Sequence, residues 1–312
     1  FGEMRWTFAP RQRLIAGARL DQADTHGYAL AAANVASGMG GMPATTTTVA
    51  ANRTSTLPAG FLRYERDLSG TSATFYAGLG HVARFPDYWE LFGQHVDTSL
   101  TSFKTLAAEK TTQLDVGLQY HDARMKAWVS GYVGVVNDFI LMRYPATAMG
   151  TGSAANVQAR IAGGEAGVTY AFSAHWKGDA TLAYAWGENR TEHRPLPQMP
   201  PLEVRLGLVY EHADWSVGGL WRLANGQHRV AVGEGNIVGK DLGPSGGFGV
   251  FSINGGYRLS RRLTLTAGID NLFDKTYAEH INAAPPALAG YSVTTRVNEP
   301  GRTGWLSLAL SL

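Results

Sequence analysis

The side chains of this chain that could do chemistry are methionines and histidines in loop-like segments. The stretch GMGGMP places Met39 and Met42 three residues apart between glycines, and Met149 and His280 lie in other segments rich in small residues. Thioether and imidazole groups are the ligands that soft ions such as Cu(I) prefer. These four residues are therefore weak candidates for a metal site, and the alternative is that they are ordinary solvent-facing loop side chains.

Catalytic signatures are absent from the sequence. The Ser, His and Asp residues are dispersed, and there is no G-x-S-x-G, H-E-x-x-H or glycine-rich phosphate loop between a strand and a helix. The absence of cysteine excludes disulfides and thiolate metal sites. The 27 basic and 25 acidic residues leave no charge excess that would attract nucleic acid. We therefore expect no enzyme activity, no catalytic cofactor and no nucleic-acid partner.

Alternation of apolar and polar residues predicts about thirteen β-strands. No run approaches the roughly 18 apolar residues of a membrane-spanning helix, but many strand candidates have about ten residues, as membrane-crossing strands do. They cover approximately residues 3–9, 13–23, 56–68, 73–85, 111–122, 125–143, 156–172, 177–188, 202–212, 215–225, 249–260, 263–281 and 302–312.

The connections between these strands alternate strictly between short and long. Turns such as Ala213-Asp214 and Arg261-Arg262 separate long segments such as 24–55, 86–110 and 226–248. Outer-membrane barrels have short periplasmic turns and long extracellular loops, whereas a soluble sandwich has no reason to place every long loop on one side. The fold class predicted is all-β, a transmembrane antiparallel up-and-down β-barrel.

The two faces of the strands agree with this prediction. In the last strand Leu306, Leu308 and Leu310 point one way while Ser307 and Ala309 point the other. Lipid would contact the first face and a polar lumen the second. We therefore expect outer-membrane lipid to be a partner of the chain.

Three motifs in the chain resemble those of TonB-dependent outer-membrane receptors. ARFPDYWELF resembles the R-x-P-x-x-x-E-L-F box, LAAEKTTQLDVGLQY resembles L-x-x-E-x-x-x-x-x-E-x-G with Asp115 in place of the second Glu, and NLFDKTY resembles the C-terminal signature. The positions that carry the resemblance, including the tail segment EPGR, are Arg84, Pro86, Glu90, Leu91, Phe92, Glu109, Gly117, Asn271, Leu272, Phe273, Asp274, Tyr277, Glu299, Pro300, Gly301 and Arg302.

The resemblance implies the last thirteen strands of a barrel of about 22 strands, located in the bacterial outer membrane. Residues 1–312 would form a partial barrel domain, without the N-terminal plug that contacts the TonB complex and without about nine early strands. The signature residues are expected to act structurally, and the strand that begins near Leu263 is expected to continue past Asp270 as a long extracellular extension.

The tail indicates the ligand of such a receptor. The segments YAEHIN and RVNEPGRT resemble the TonB-dependent copper receptors, which implies import of a scarce ligand, with copper as the transported ion. A receptor for a siderophore or another metal chelate is the alternative. A passive porin is a further one, because Arg5, Arg63 and Arg205 could line an open lumen.

Overall fold

A computed structural model shows one sheet that dominates the chain. The structure describes residues 1–32, 46–92, 100–144, 152–236, 239–284 and 295–311. Thirteen strands follow one another in the sheet, each antiparallel to its neighbours. This number and arrangement confirm the prediction from the alternating sequence.

The strands of the main path run in chain order and most match their predicted bounds within three residues. They are β1 (Gly2–Ala9), β2 (Gln12–Ala32), β3 (Thr46–Asp67), β4 (Ala73–Arg84), β5 (Glu109–His121), β6 (Met125–Arg143), β7 (Ser153–Ala171), β8 (Trp176–Asn189), β10 (Glu203–His212), β11 (Trp215–Ala224), β14 (Phe248–Arg258), β15 (Leu263–Asp270) and β16 (Thr303–Leu310). Three short strands lie off this path: β9 (Arg194–Pro195), β12 (Glu234–Asn236) and β13 (Gly239–Lys240).

All short connections lie at one end of the sheet, which we call the short-turn end, and the long ones lie at the opposite, long-loop end. One face carries exposed apolar side chains such as Leu114, Val133 and Leu182. Near the short-turn end this face is aromatic, with exposed rings of Phe172, Trp176, Trp215 and Tyr257 among others. An apolar band bordered by aromatic residues is the surface expected of a sheet in contact with lipid.

Two strands are longer than predicted. β2 and β3 pair over their whole length, from Gln12↔Arg66 to Ala32↔Thr46, although 24–55 had been predicted as a loop. Near the middle of this extension, paired residues such as His26 and Asn52 are polar or small. Above the membrane no lipid requires a continuous apolar face, so the main-chain ladder continues without the apolar alternation that marks a strand in the sequence.

The predicted loop 86–110 contains a compact cap. Its two short helices are α1 (Tyr88–Phe92) and α2 (Thr101–Thr105), and Leu91, Leu100, Phe103, Leu106 and Ile140 form a buried apolar cluster. Phe103 lies against Gly27 of the extended β2, where a Cβ atom would be 3.2 Å from its ring. Burial of these side chains fixes the cap on the β2–β3 extension.

The prediction that β15 continues beyond Asp270 is wrong. The strand ends at Asp270, and Asn271 follows with a positive φ of 49°. A left-handed residue interrupts the regular ladder, and Asn is among the few side chains that adopt this conformation readily. The segment NLFDKTY therefore begins with a turn, closed by the Asp274 N–H donating to the Asn271 carbonyl, directly after the end of β15.

The described residues contain no helix long and apolar enough to cross a membrane. At the two edges of the sheet, β1 pairs only with β2 and β16 only with β15 among the described strands. Because all neighbours on the path are antiparallel, the odd number of strands makes β1 and β16 run in the same direction.

Candidate functional site at the long-loop end

Polar clusters at the long-loop end hold the loops in place, and most of the sequence-predicted positions lie in two of them. The first cluster joins α1 to the top of β4 and β5. Arg84 Nη1 and Nη2 donate to the two carboxylate oxygens of Glu90 at 2.9 and 3.1 Å, and Arg84 Nη2 also donates to Glu109 Oε2 at 3.2 Å. Such two-pronged pairing fixes orientation as well as distance.

Glu90 and Glu109 also accept backbone hydrogen bonds. The Asp87 N–H donates to Glu90 Oε2 at 2.6 Å, and the Ile140 N–H donates to Glu109 Oε2 at 3.1 Å. Glu90 is buried, as are its neighbours Pro86 and Leu91. The cluster therefore ties the first turn of α1 to the wall and to β6. Phe92 at the end of α1 also contacts Phe103 of α2, with ring centroids 5.4 Å apart.

The second cluster is the turn after β15. Asn271 is 3% exposed, and its Oδ1 accepts from the Lys275 N–H at 2.8 Å. Its Nδ2 donates to the carbonyl oxygens of Lys275 at 2.8 Å and Pro300 at 3.3 Å. One amide thus closes the turn and joins it to the segment that leads into β16.

The remaining signature residues surround this turn. Asp274 Oδ1 accepts from the Arg302 N–H at 2.8 Å, and a Cβ at Gly301 would be 2.7 Å from the same oxygen. Tyr277 packs on Phe248 with ring centroids 4.4 Å apart, and its carbonyl accepts from the Glu299 N–H. The Leu272 N–H donates to Phe251, whose ring lies 6.1 Å from that of the exposed Phe273.

Gly117 lies apart from both clusters, within β5. A Cβ there would approach the Tyr76 ring to 2.4 Å, so the glycine makes room for an aromatic side chain on the neighbouring strand. The Tyr76 ring in turn carries the Arg63 guanidinium 4.0 Å above it.

A third cluster was not predicted from the sequence. The loop between β11 and β14 reaches β6, where Glu234 pairs with Arg143 and Gly235 with Met142. The Glu234 carboxylate, 5% exposed, contacts Arg194 at 2.5 Å and Arg143 at 3.3 Å, and both arginines also contact Glu192. Burial raises the pKa of Glu234, although the two arginines oppose this effect.

The fourth cluster surrounds His280. This imidazole is 4% exposed, its Nδ1 lies 3.0 Å from Ser245 Oγ and 3.4 Å from Arg296 Nη2, and its Nε2 has no hydrogen-bond partner among the described residues. Arg296 also donates to the carbonyls of His280 and Pro244 at 2.8 and 3.2 Å. The cluster joins the loop that follows β15 to the loop before β14.

Asp241 completes the fourth cluster. Its carboxylate accepts from the N–H groups of Ala231 at 3.0 Å and Gly243 at 2.8 Å, and it lies 3.8 Å from Arg296. Burial lowers the pKa of His280, and Asp241 opposes this effect while Arg296 adds to it. The neutral imidazole is therefore the form that fits the folded loop.

This arrangement predicts an acid-sensitive loop. Because the folded-state pKa of His280 is depressed, its contribution to stability is present above its unfolded pKa of about 6.5 and is lost as the pH falls through the folded value. We expect the protection of backbone amides in residues 241–245 and 280–282 against hydrogen exchange to fall between about pH 7 and pH 5. Protection here is the observed exchange rate relative to the intrinsic rate of an unfolded chain at the same pH. The exchange is measured by mass spectrometry.

The variant His280→Gln, which cannot be charged, should show a flatter pH dependence in the same segments. Exchange in α1 is the internal control, because the Arg84–Glu90 pair does not contact His280. If the variant showed the same pH dependence as the native protein, His280 would not be the group that makes the loop acid-sensitive.

Of the four candidate metal ligands, only His280 lies within the described residues. Among the described residues there is no group of three or more His, Asp or Glu side chains that could hold a metal ion. Met39, Met42 and Met149 lie outside the described residues. His280 faces a guanidinium, which disfavours a cation at its Nδ1 side.

Comparison with known proteins supports a common architecture. The family model "TonB dependent receptor-like, beta-barrel" matches residues 1–272. The solved structure of the copper transporter OprC superposes with a TM-score of 0.91 and 51% identity, covering 99% of this chain and 47% of that protein. The ferric-catecholate import receptor Fiu of E. coli K12 superposes with a TM-score of 0.70 at 18% identity, covering 98% of this chain and 43% of that protein.

A curated relative matches over a shorter region. The ferric enterobactin receptor of Pseudomonas aeruginosa is 41% identical over 64 residues, which are 20% of this chain and 9% of that receptor. The chain thus spans less than half the length of these relatives. The family match, the sheet and the superpositions confirm the resemblance found in the sequence. The chain belongs to the TonB-dependent receptor β-barrel family, whose members are outer-membrane proteins of Gram-negative bacteria.

Proposed function

We propose that the chain is part of an outer-membrane receptor that imports copper. The observation that carries this proposal is the 51% identity to the copper transporter OprC over 99% of the chain, with a TM-score of 0.91. The copper-receptor resemblance of the segments YAEHIN and RVNEPGRT supports the same ligand. The structure adds a reason why these segments matter, because His280 and Arg296 within them join two loops at the long-loop end.

A receptor for a ferric siderophore is the second candidate. The 41% identity over 64 residues to the ferric enterobactin receptor favours it. The superpositions on siderophore receptors at 18% identity or less support only the shared fold.

We further propose that the thirteen strands are completed by others into a closed barrel. Unpaired backbone groups at the edges of a sheet cost several kcal/mol each in lipid. Since β1 and β16 run in the same direction, antiparallel closure requires an odd number of additional strands, and about nine in a 22-stranded barrel satisfy this requirement. A plug and contact with the TonB complex belong to the same proposal.

Radioactive copper uptake by whole cells tests the function. Cells that express the complete gene should accumulate copper faster than cells from which it is deleted, and dissipation of the proton gradient should abolish the difference. A parallel measurement with ferric enterobactin addresses the second candidate.

The outcomes separate the alternatives. Gene-dependent uptake of the iron complex without copper uptake would replace copper by a siderophore. Uptake that persists without the proton gradient would indicate a passive pore.

A further inference from the structure

Two histidines from different segments lie side by side at the short-turn end. His175 belongs to the turn between β7 and β8, and His212 is the last residue of β10. Their ring centres are 5.5 Å apart, and both residues are exposed. Because β8 pairs with β10, with Trp176 opposite Tyr210, the strand register brings the two imidazoles together.

The His175 imidazole is held in one tautomer. Its Nδ1 lies 2.9 Å from the Glu211 carbonyl oxygen, which can only accept, so the neutral ring carries its proton on Nδ1 and donates it there. The Glu211 N–H in turn donates to the His175 carbonyl at 2.8 Å. Histidines that bind metal ions donate their second ring nitrogen to a carbonyl or carboxylate in this way. The lone pair on Nε2 is therefore left as the ligand atom.

Both imidazoles are also held by their neighbours. Ser173 Oγ accepts from the His175 N–H at 3.2 Å, which fixes the turn. The His175 ring lies 5.7 Å from that of Tyr210, measured between centroids. The His212 ring lies 6.1 Å from that of Trp215. Side chains that packing and hydrogen bonds already hold in one orientation lose little conformational freedom when a ligand binds.

The spacing of the two rings suits one shared ion. Imidazole nitrogens at about 2.0–2.1 Å from the same ion place the ring centres about 5 Å apart in a tetrahedral arrangement and about 6 Å apart in a linear one. The 5.5 Å between His175 and His212 lies between these values. Both histidines border an open cavity of about 570 Å³, which leaves room for water molecules to complete the coordination of an ion.

The charges around the pair do not oppose a cation. Arg258, which borders the same cavity, lies 4.0 Å from the Asp214 carboxylate. Lys177 contacts Glu211 at 2.6 Å. Each of these basic side chains therefore has a carboxylate beside it. The imidazole of the fourth cluster differs, because its Nδ1 faces a guanidinium.

We propose that His175 and His212 bind one divalent ion that prefers imidazole ligands, such as Zn²⁺, and that this ion joins the β7–β8 turn to the end of β10. Imidazole is a good ligand for zinc, copper and nickel, whereas magnesium and calcium prefer oxygen ligands. The short turns of outer-membrane barrels face the periplasm, so the site takes its ion from that side. It uses no residue of the long-loop end and does not depend on the proposed copper import.

Protection of histidines from diethyl pyrocarbonate tests the proposal. The reagent modifies unprotonated imidazole nitrogens, and mass spectrometry of the digested protein measures the modification of each histidine separately. In the protein extracted from outer membranes, Zn²⁺ should protect His175 and His212 together, and Mg²⁺ should protect neither. His121 is the internal control, because it is exposed at the same end of the sheet and is paired with Lys126 instead of another histidine.

Single substitutions test whether the two rings share one ion. In His175→Gln, the Zn²⁺ concentration that half-protects His212 should rise on the order of 100-fold, because even changes to the partners of a metal ligand weaken binding by about 10- to 100-fold. His212→Gln should have the same effect on His175. The matched variant His121→Gln should leave the protection of both residues unchanged. The shift in electrophoretic mobility on heating shows that each variant is folded.

Three results would overturn the proposal. The first is that Zn²⁺ protects neither His175 nor His212 in the native protein. The second is that it protects His121 equally well, which would indicate non-specific binding to exposed histidines. The third is that protection of His212 survives unchanged in His175→Gln, which would show that the two rings do not share an ion.

Discussion

Replacement of Asn271 by Ala is expected to open the turn after β15 and to destabilise it by about 3 kcal/mol. The variant loses the hydrogen bonds to Lys275 and Pro300, and it places a Cβ-bearing residue without a local hydrogen bond at a φ of 49°. We expect amide exchange of residues 271–275 and 299–302 to rise on the order of 100-fold, the equivalent of that free energy.

The variant Asn271→Gly separates the loss of the side-chain hydrogen bonds from the backbone strain at positive φ. Glycine adopts positive φ without steric cost but lacks the side-chain amide, so this variant should lie between the native protein and Asn271→Ala. Equal protection of the turn in all three proteins would contradict a structural role for Asn271. The proportion of folded barrel, measured by the shift in electrophoretic mobility on heating, shows whether the turn is also needed for assembly.

Replacement of Glu90 by Ala is expected to detach the cap from the wall, at a cost of about 3 kcal/mol in its local stability. The change removes both hydrogen bonds from Arg84 and leaves the Asp87 N–H without its acceptor. Because Arg84 retains Glu109 and is partly exposed, we expect less than the full cost of an isolated buried charge. Proteolysis within residues 85–106 should accelerate while the strands stay protected.

Two variants control this experiment. Glu90→Gln keeps the shape and one acceptor and should show a smaller effect. Glu211→Ala removes an exposed carboxylate that pairs with Lys177, and exposed pairs contribute at most about 1 kcal/mol. Similar proteolysis in Glu90→Ala and Glu211→Ala would show that the Arg84–Glu90 pair does not fix the cap.

The wall of the barrel could be predicted from the sequence because each membrane-crossing strand has one lipid face. Lipid requires apolar side chains at every second residue, as in the series Leu114, Val116 and Leu118, and the polar lumen leaves the other positions free. The short turns were equally clear, since two to five residues between such strands leave no alternative to an antiparallel pair.

Above the membrane this signal disappears. The upper part of the β2–β3 hairpin lacks alternation because neither of its faces meets lipid. The described parts of the cap, residues 85–92 and 100–106, are stabilised by contacts with Gly27 and Ile140, which are distant in sequence. The end of β15 could have been recognised from Asn271, because Asn at the end of an alternating run is a signal for a turn.

The site was predicted less completely than the fold. The motifs located Arg84, Glu90 and Asn271, whose hydrogen bonds are formed within short stretches or between neighbouring strands. No motif marks the third cluster, Arg143, Arg194 and Glu234. These charged residues are distant in sequence and come into contact only because the loop between β11 and β14 reaches β6. Ion pairs between segments that are distant in sequence leave no local pattern to read.

The pairing of β12 with β6 has a consequence for the order in which the molecule is assembled. Glu234 and Arg143 are separated by four strands of the main path, so their contact forms only after those strands have taken their places. Contacts of such long sequence separation form late, because the entropic cost of closing the loop must be met first. The strands of the wall can therefore pair before the Arg143–Glu234–Arg194 contact forms, so we expect the loops of the outer entrance to acquire their final arrangement after the wall.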